Sequence, residues 1–287
     1  MKLGIGLPAT IPNTPPELVL DWAKRAEEKG FSSLGIIDRL VYPNLEPMIT
    51  LAAVSSITKR VRLMTTVLVA PIRNTAILAK EAATLDRLSG GRLTLGFGIG
   101  GREDDSLAAG THHKSRAKRF EEQIQLMRKI WAGETLDGRV GKIGPTSTQQ
   151  GGPEVLIGGY TPAAAARAGR LGDGFIAGGG LDAKTALSFY KTAEDAWKKA
   201  GRKGKPRFVC SAYYALGPNA HKGSAYILDY YAFMGPSAEN VAKGILSTPA
   251  DVENAVNSFS QNGADELILW PTIPELQQVE LASKYLK

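Results

Sequence analysis

The sequence predicts an α/β fold: a single (β/α)8 barrel occupying residues 1–287, with eight parallel strands each followed by a helix. Three observations lead there. Apolar β-type runs alternate with amphipathic helical stretches almost from end to end. The strands are near-continuous apolar runs between helices, the mark of a parallel sheet covered by helices. The 287 residues match the usual length of such a barrel.

The elements follow in order. Residues 3–7 form the first strand, and Thr14 before Pro15-Pro16 signals entry to a helix over 17–29, closed by Gly30. A second strand covers 34–37 and a helix 46–57. A third strand covers 61–70 and a helix 75–88, where Leu78, Ala82, Leu85 and Leu88 make an apolar stripe. Ser89-Gly90-Gly91 stops that helix, because glycine takes the left-handed C-cap conformation without a Cβ clash. The fourth strand, 93–98, alternates Leu93, Leu95 and Phe97 with Thr94, Gly96 and Gly98, and Gly100 and Gly101 follow it. A long helix covers 115–131, and the Gly-rich, polar stretch 135–152 is a surface excursion. Strands at 155–157, 174–177, 207–216 and 266–270 alternate with helices at 162–171, 183–200, 249–261 and 274–286; residues 218–247 are irregular, with helix in parts.

The competing fold is a doubly wound open sheet, which a dinucleotide fingerprint would favour. Gly96, Gly98 and Gly101 satisfy G-x-G-x-x-G formally. The segment after them, REDDSLAAG, is acidic and interrupted by glycine, and it does not read as the opening of a tightly packed helix.

Composition narrows the function classes. One cysteine, Cys210, excludes an internal disulfide and a multi-cysteine zinc site. No apolar run approaches a transmembrane helix, and the N-terminus lacks a secretory h-region; a cytoplasmic protein is expected. The net charge of +7 suits anionic ligands but is scattered over helix faces, without the interleaved aromatic-basic pattern of a nucleic-acid binder.

Gly158-Gly159-Tyr160-Thr161 ends a strand and opens a helix, where exposed N–H groups and a hydroxyl make a phosphate cradle. Thr161 is equally a plain N-cap with Pro162 at N1, and the two roles are compatible. Asp38-Arg39 ends the second strand, on the catalytic face of a barrel. His112, His113 and His221 lie in loops on the same side, with no third ligand at metal-binding spacing. Strand alternation sends only one of Tyr213 and Tyr214 inward. Trp270 is a candidate pocket wall or core residue. Tyr226, Tyr230, Tyr231 and Phe233 are candidates for a substrate cover, a dimer interface or ordinary packing.

Several segments carry a family resemblance. LDRLSGGRLTLGFGIG, the helix RAKRFEEQIQLMRKIW with Arg116, Glu122 and Trp131, VLIGGYTPAAAARAGRLGDGFI, GIIDR and RVRLMTTVLVAP resemble the bacterial luciferase-like flavin-dependent oxidoreductases from residue 1 to about 177. The last third fits by strand-helix rhythm alone. The resemblance implies a barrel, often dimeric, that uses reduced FMN with oxygen, or the deazaflavin F420. It places the cofactor phosphate at Gly158, Gly159, Tyr160 and Thr161, and space for the cofactor at Gly98 and Gly100. A non-prolyl cis peptide at Thr66–Val67 would lie under the ring, with Asp38 near its reactive edge. The family usually has histidine where this chain has Arg39. Arginine stays protonated and is no general base, but it can hold an anionic substrate, orient oxygen or stabilise developing negative charge.

The resulting expectation is a two-component monooxygenase acting on a small organic substrate with reduced FMN from a separate reductase, as a homodimer, with Arg39 and Asp38 as catalytic candidates. The alternatives are an F420-dependent hydride transferase and a non-catalytic flavin-binding protein.

Overall fold

Eight parallel strands close on themselves in sequence order, β1 to β8. The structure is a computed structural model and describes residues 1–286. In order, β1 (Lys2–Gly6) leads to α1 (Pro16–Lys29), β2 (Ser33–Ile36) to α2 (Pro47–Ile57), and β3 (Arg62–Val69) to α3 (Thr75–Leu88). β4 (Leu93–Gly98) is followed by α4 (Glu103–Ala108) and α5 (Arg116–Trp131), β5 (Glu154–Gly159) by α6 (Pro162–Leu171), and β6 (Gly174–Ala177) by α7 (Ala183–Lys199). β7 (Arg207–Tyr214) precedes α8 (Gly223–Tyr230), α9 (Ala238–Lys243) and α10 (Pro249–Gln261), and β8 (Glu266–Pro271) precedes α11 (Gln277–Ser283). Ile5 pairs with Leu34 on one side and Leu269 on the other, which closes the ring.

The period-2 alternation of each strand sorts side chains into two cores. Outward-facing Leu63, Leu95, Phe97, Val155, Phe175, Phe208 and Leu267 pack under the helices. Inward-facing Met64, Leu156, Ile176, Val209 and Ile268 fill the middle of the barrel.

The N-terminal end of the barrel is closed by ions. Arg207 pairs with Glu154 at 2.5 Å and with Glu266. Arg62 lies 4.0 Å from Glu154 and donates to Thr94 at 2.8 Å. Ser32 and Ser33 donate to Glu266 at 2.5 and 2.6 Å. Two cations thus meet two anions, and hydroxyls take up remaining lone pairs, which is what makes burying Glu266 tolerable.

The structure departs from the sequence expectation in particular places. Residues 103–108 are a short helix, because three acidic residues in its first turn favour the positive end of the helix dipole. It is too short and too polar to be the packed helix of a dinucleotide fold. The last helix is confined to Gln277–Ser283, and the seventh strand stops at Tyr214, where Gly217 (φ 86°) turns the chain. The irregular stretch 218–247 contains α8 and α9. Among the described residues, no helix is long and apolar enough to cross a membrane.

Candidate active site

The C-terminal ends of the strands are built on missing side chains. The peptide Thr66–Val67 is cis, and the β3–β4 register shifts between Thr65 and Leu68. Thr65 donates its hydroxyl to Gly96 O at 2.8 Å, and Thr66 donates to Ile36 O at 3.3 Å. The Val67 side chain then lies between β4 and β5. A Cβ at Gly98 or at Gly158 would come within 2.7 Å of a Val67 methyl. Gly98 and Gly158 therefore make room first for the bulge and only through it for a ligand. Gly100 has φ 75°, and a Cβ there would meet Val69 at 2.7 Å. Across the mouth, the Trp270 indole occupies the Cβ position of Gly6, at 2.2 Å, and touches that of Gly35 at 3.0 Å.

Asp38 and Arg39, adjacent in sequence, have unrelated surroundings. Asp38 is 4% exposed and accepts from Val69 N at 2.9 Å and from Arg73 at 3.1 Å on both oxygens. Arg73 also binds Glu46 at 2.8 Å. Burial pushes the Asp38 carboxyl above its ordinary range, against the opposing pull of Arg73 and the Val69 N–H. Its contacts are those of a brace that fixes the end of β3 beyond the bulge.

Arg39 instead meets an aromatic cluster. Its guanidinium lies 4.4 Å from the Tyr42 ring centroid and 5.7 Å from that of Tyr230, and it donates to Tyr230 O at 3.3 Å. Arg102, just past the β4 glycines, approaches the same residue. It donates to Tyr230 O at 3.2 Å, with its guanidinium 4.8 Å from the Tyr230 ring and 4.1 Å from the Phe233 ring. The Nε atoms of both arginines and the Tyr230 hydroxyl are buried without hydrogen-bond partners. The backbone after Arg39 is fixed by buried Asp105 of α4, which accepts from Leu40 N at 3.1 Å and Val41 N at 2.7 Å. Arg102 and Asp105 were not picked out from sequence. Their signal was position: a lone basic residue and an acidic helix start directly after strand-end glycines.

Tyrosines complete the mouth. Tyr213 and Tyr231 share a hydrogen bond of 2.5 Å between hydroxyls, and Tyr226 donates to Thr10 at 2.9 Å. Tyr213 faces the inner core, whereas Tyr214 faces the outer one and donates to Gln278 O at 3.1 Å, as alternation predicts. Burial pushes the Tyr230 phenol up to about 12, against Arg102 and Arg39, which pull it down. At neutral pH these phenols stay protonated. Tyr230 and Tyr231 are core-like and Phe233 is half exposed, so α8 covers the mouth with its C-terminal end.

At the end of β5, Thr161 caps α6 by accepting from Ala164 N at 3.2 Å, with Pro162 at N1. Tyr160 turns its ring onto Gly178, where a Cβ would come within 2.1 Å of it, and donates to Gly179 O at 3.1 Å. Half of Tyr160 is open to solvent, but its hydroxyl end is covered, and that burial pushes the phenol up. The histidines lie elsewhere in the loops: His113 pairs with Ser106 at 3.1 Å, His221 with Pro218 O at 3.2 Å, and His112 is exposed. Among the described residues, no group of acidic, histidine or cysteine side chains is arranged to hold a metal.

Comparison with known proteins places this architecture. A family model described as luciferase-like monooxygenase matches residues 1–276. An F420-dependent glucose-6-phosphate dehydrogenase from Nocardia farcinica is 32% identical over 224 residues, 70% of this chain and 65% of the relative. An uncharacterized protein, Rv0940c of Mycobacterium tuberculosis, is 33% identical over 187 residues, 55% of this chain and 64% of the relative. The match thus spans just under two-thirds of these relatives' lengths. Among solved structures, an F420-dependent secondary alcohol dehydrogenase in complex with an F420-acetone adduct superposes with a TM-score of 0.81 at 20% identity, covering 100% of this chain and 98% of the other. The FMN-bound oxygenating constituent of 3,6-diketocamphane monooxygenase from Pseudomonas putida gives 0.76 at 18% identity, covering 100% and 98%. At those identities the structural likeness speaks for the fold. The family match covers nearly the whole chain, and the chain belongs to the luciferase-like monooxygenase family, a family of oxidoreductases.

Proposed function

We propose that this chain binds a flavin-type cofactor at the C-terminal mouth of the barrel and that the cofactor is the deazaflavin F420. The observation that carries the site is the inward bulge of β3, which sets Val67 between Gly98 and Gly158 beside the capped start of α6. Residues present fit such a group. Val67 offers an apolar contact, and the first turn of α6 offers N–H groups to a phosphate. Arg39 and Arg102 carry buried N–H groups without partners. F420 is supported over FMN by the Nocardia relative, whose name is F420-dependent and whose identity to this chain is higher than that of the FMN-bound neighbour.

When bound, F420 supplies two-electron hydride chemistry. The chain's own part is positioning. Thr161 and the α6 N-terminus orient the phosphate end, and Val67 and Trp270 set the depth of the ring. The tyrosines of α8 exclude water, and Arg39 orients substrate or stabilises negative charge. The second reading, oxygenation with reduced FMN from a separate reductase in a homodimer, is supported by the FMN-bound neighbour.

The test is calorimetric titration of the purified protein with F420 and with FMN under identical conditions. Binding of F420 at least about tenfold tighter than FMN is the expected result. The reverse order selects the oxygenase reading. No binding of either at tens of micromolar, on the order of −6 kcal/mol, would contradict a cofactor site at this mouth.

A further inference from the structure

Arg39 and Arg102 come from different loops, 63 residues apart, yet both donate to a single backbone carbonyl, that of Tyr230. Both bonds are long, at 3.3 and 3.2 Å. Neither guanidinium has a carboxylate within ion-pair distance among the described residues, whereas Arg73 at the same end pairs with Asp38 and Glu46, and Arg62 and Arg207 at the other end pair with glutamates. Each Nε is buried and unpartnered. Tyr42, Tyr230 and Phe233 lie against the guanidinium planes, which keeps the pair in place but gives their in-plane N–H groups nothing to bind. Two like charges sharing one neutral acceptor repel each other and leave donors unsatisfied. An oxyanion at the Tyr230 carbonyl position removes both deficits, because carboxylate and phosphate accept from several guanidinium N–H groups at once.

We infer that Arg39 and Arg102 form an oxyanion-binding clamp, taking a phosphate or carboxylate group that displaces the carbonyl of Tyr230. The anion belongs either to the substrate or to the anionic tail of the cofactor. The inference deepens the proposed function by assigning ligand chemistry to the same mouth. Its primary test uses no cofactor, so the two readings fail separately.

The test is thermal denaturation and calorimetric titration of the unmodified protein with inorganic phosphate, against sodium chloride at matched ionic strength. A saturable rise in Tm with phosphate and not with chloride is expected. Arg39→Gln and Arg102→Gln, each checked for folding by circular dichroism, are expected to weaken phosphate binding by more than about tenfold. A phosphate response equal to that of chloride, or one that survives both substitutions, overturns the clamp, and the first of these needs no variant to fold. The source of the anion follows from two further arms. If both variants lose affinity for F420 but not for its deazaflavin chromophore lacking the phosphate tail, the clamp holds the cofactor. If F420 affinity is unchanged and phosphate still binds the F420-loaded protein, the clamp belongs to the substrate.

Discussion

Two pairs of arginines, one at each end of this barrel, are held in opposite states. At the N-terminal end, Arg62 and Arg207 meet Glu154 and Glu266, and Ser32, Ser33 and Thr94 occupy further acceptor positions. At the C-terminal end, Arg39 and Arg102 meet only a carbonyl and aromatic faces. A closed network of partly buried charges around buried Glu266 is a structural plug, since each ion offsets the desolvation of the other. An open one leaves interaction capacity for something that arrives later. The difference separates the end of the barrel that serves stability from the end that serves function.

Breaking the lower network should produce the largest effect on stability. Glu266 is 1% exposed, so Glu266→Ala leaves Arg207 with Glu154 alone and the Ser32 and Ser33 hydroxyls without their acceptor, and should lower unfolding free energy by about 3 kcal/mol, the low end of the cost of breaking a buried pair. Urea denaturation checks this, and a loss below about 1 kcal/mol would remove the plug from the account. Next comes the bulge. Gly158→Ala forces a Cβ to within 2.7 Å of Val67 and should cost about 1–3 kcal/mol while weakening cofactor binding, whereas the same change at Gly101, which has open space, should disturb packing little. Normal stability and cofactor affinity in Gly158→Ala would separate the bulge from the site.

Smaller effects sharpen the contrast. Thr161→Val removes the cap on Ala164 N and should cost about 1 kcal/mol, with a drop in cofactor affinity if the phosphate also lies there. A cap loss without any change in affinity leaves Thr161 as structure alone. The smallest expected effect is a pH dependence at the base of the barrel. Burial alone would raise the Glu27 carboxyl, but the N–H groups of Val61, Lys59 and Arg60 outweigh it and hold it below its ordinary 4.5. Because the folded value is the lower one, its stabilisation is complete above 4.5 and fades as pH falls through the folded value. Glu27→Gln should therefore flatten the stability profile on the acid side of that window, and an unchanged slope in denaturant melts across it would refute the assignment.

Much of the fold was legible in the sequence because its signals are local. Strand alternation separated Tyr213 from Tyr214, Pro15-Pro16 and Gly30 bounded α1, and Thr161-Pro162 opened α6. The site was legible only in part, because its decisive contacts are distant in sequence. Asp38 is committed to Arg73, 35 residues away, and not to its neighbour Arg39. The spaces at Gly98 and Gly158 are filled by Val67 from another strand. Arg102 joins Arg39 only because Tyr230, 128 residues further on, is brought between them. The cis Thr66–Val67 peptide was implied by family resemblance alone, and the structure contains it.

The measurement that tests the contrast most directly is calorimetric titration of F420 into three folded proteins: the unmodified chain, Glu266→Gln at the lower end, and Arg39→Gln with Arg102→Gln at the upper end. The account predicts that the lower variant melts earlier yet binds F420 as the unmodified chain does when both are folded. It predicts that the upper variant keeps its Tm while its handling of phosphate-bearing ligands fails. Loss of F420 binding in the lower variant, with phosphate and F420 binding intact in the upper one, would contradict the assignment of stability to one end of the barrel and function to the other.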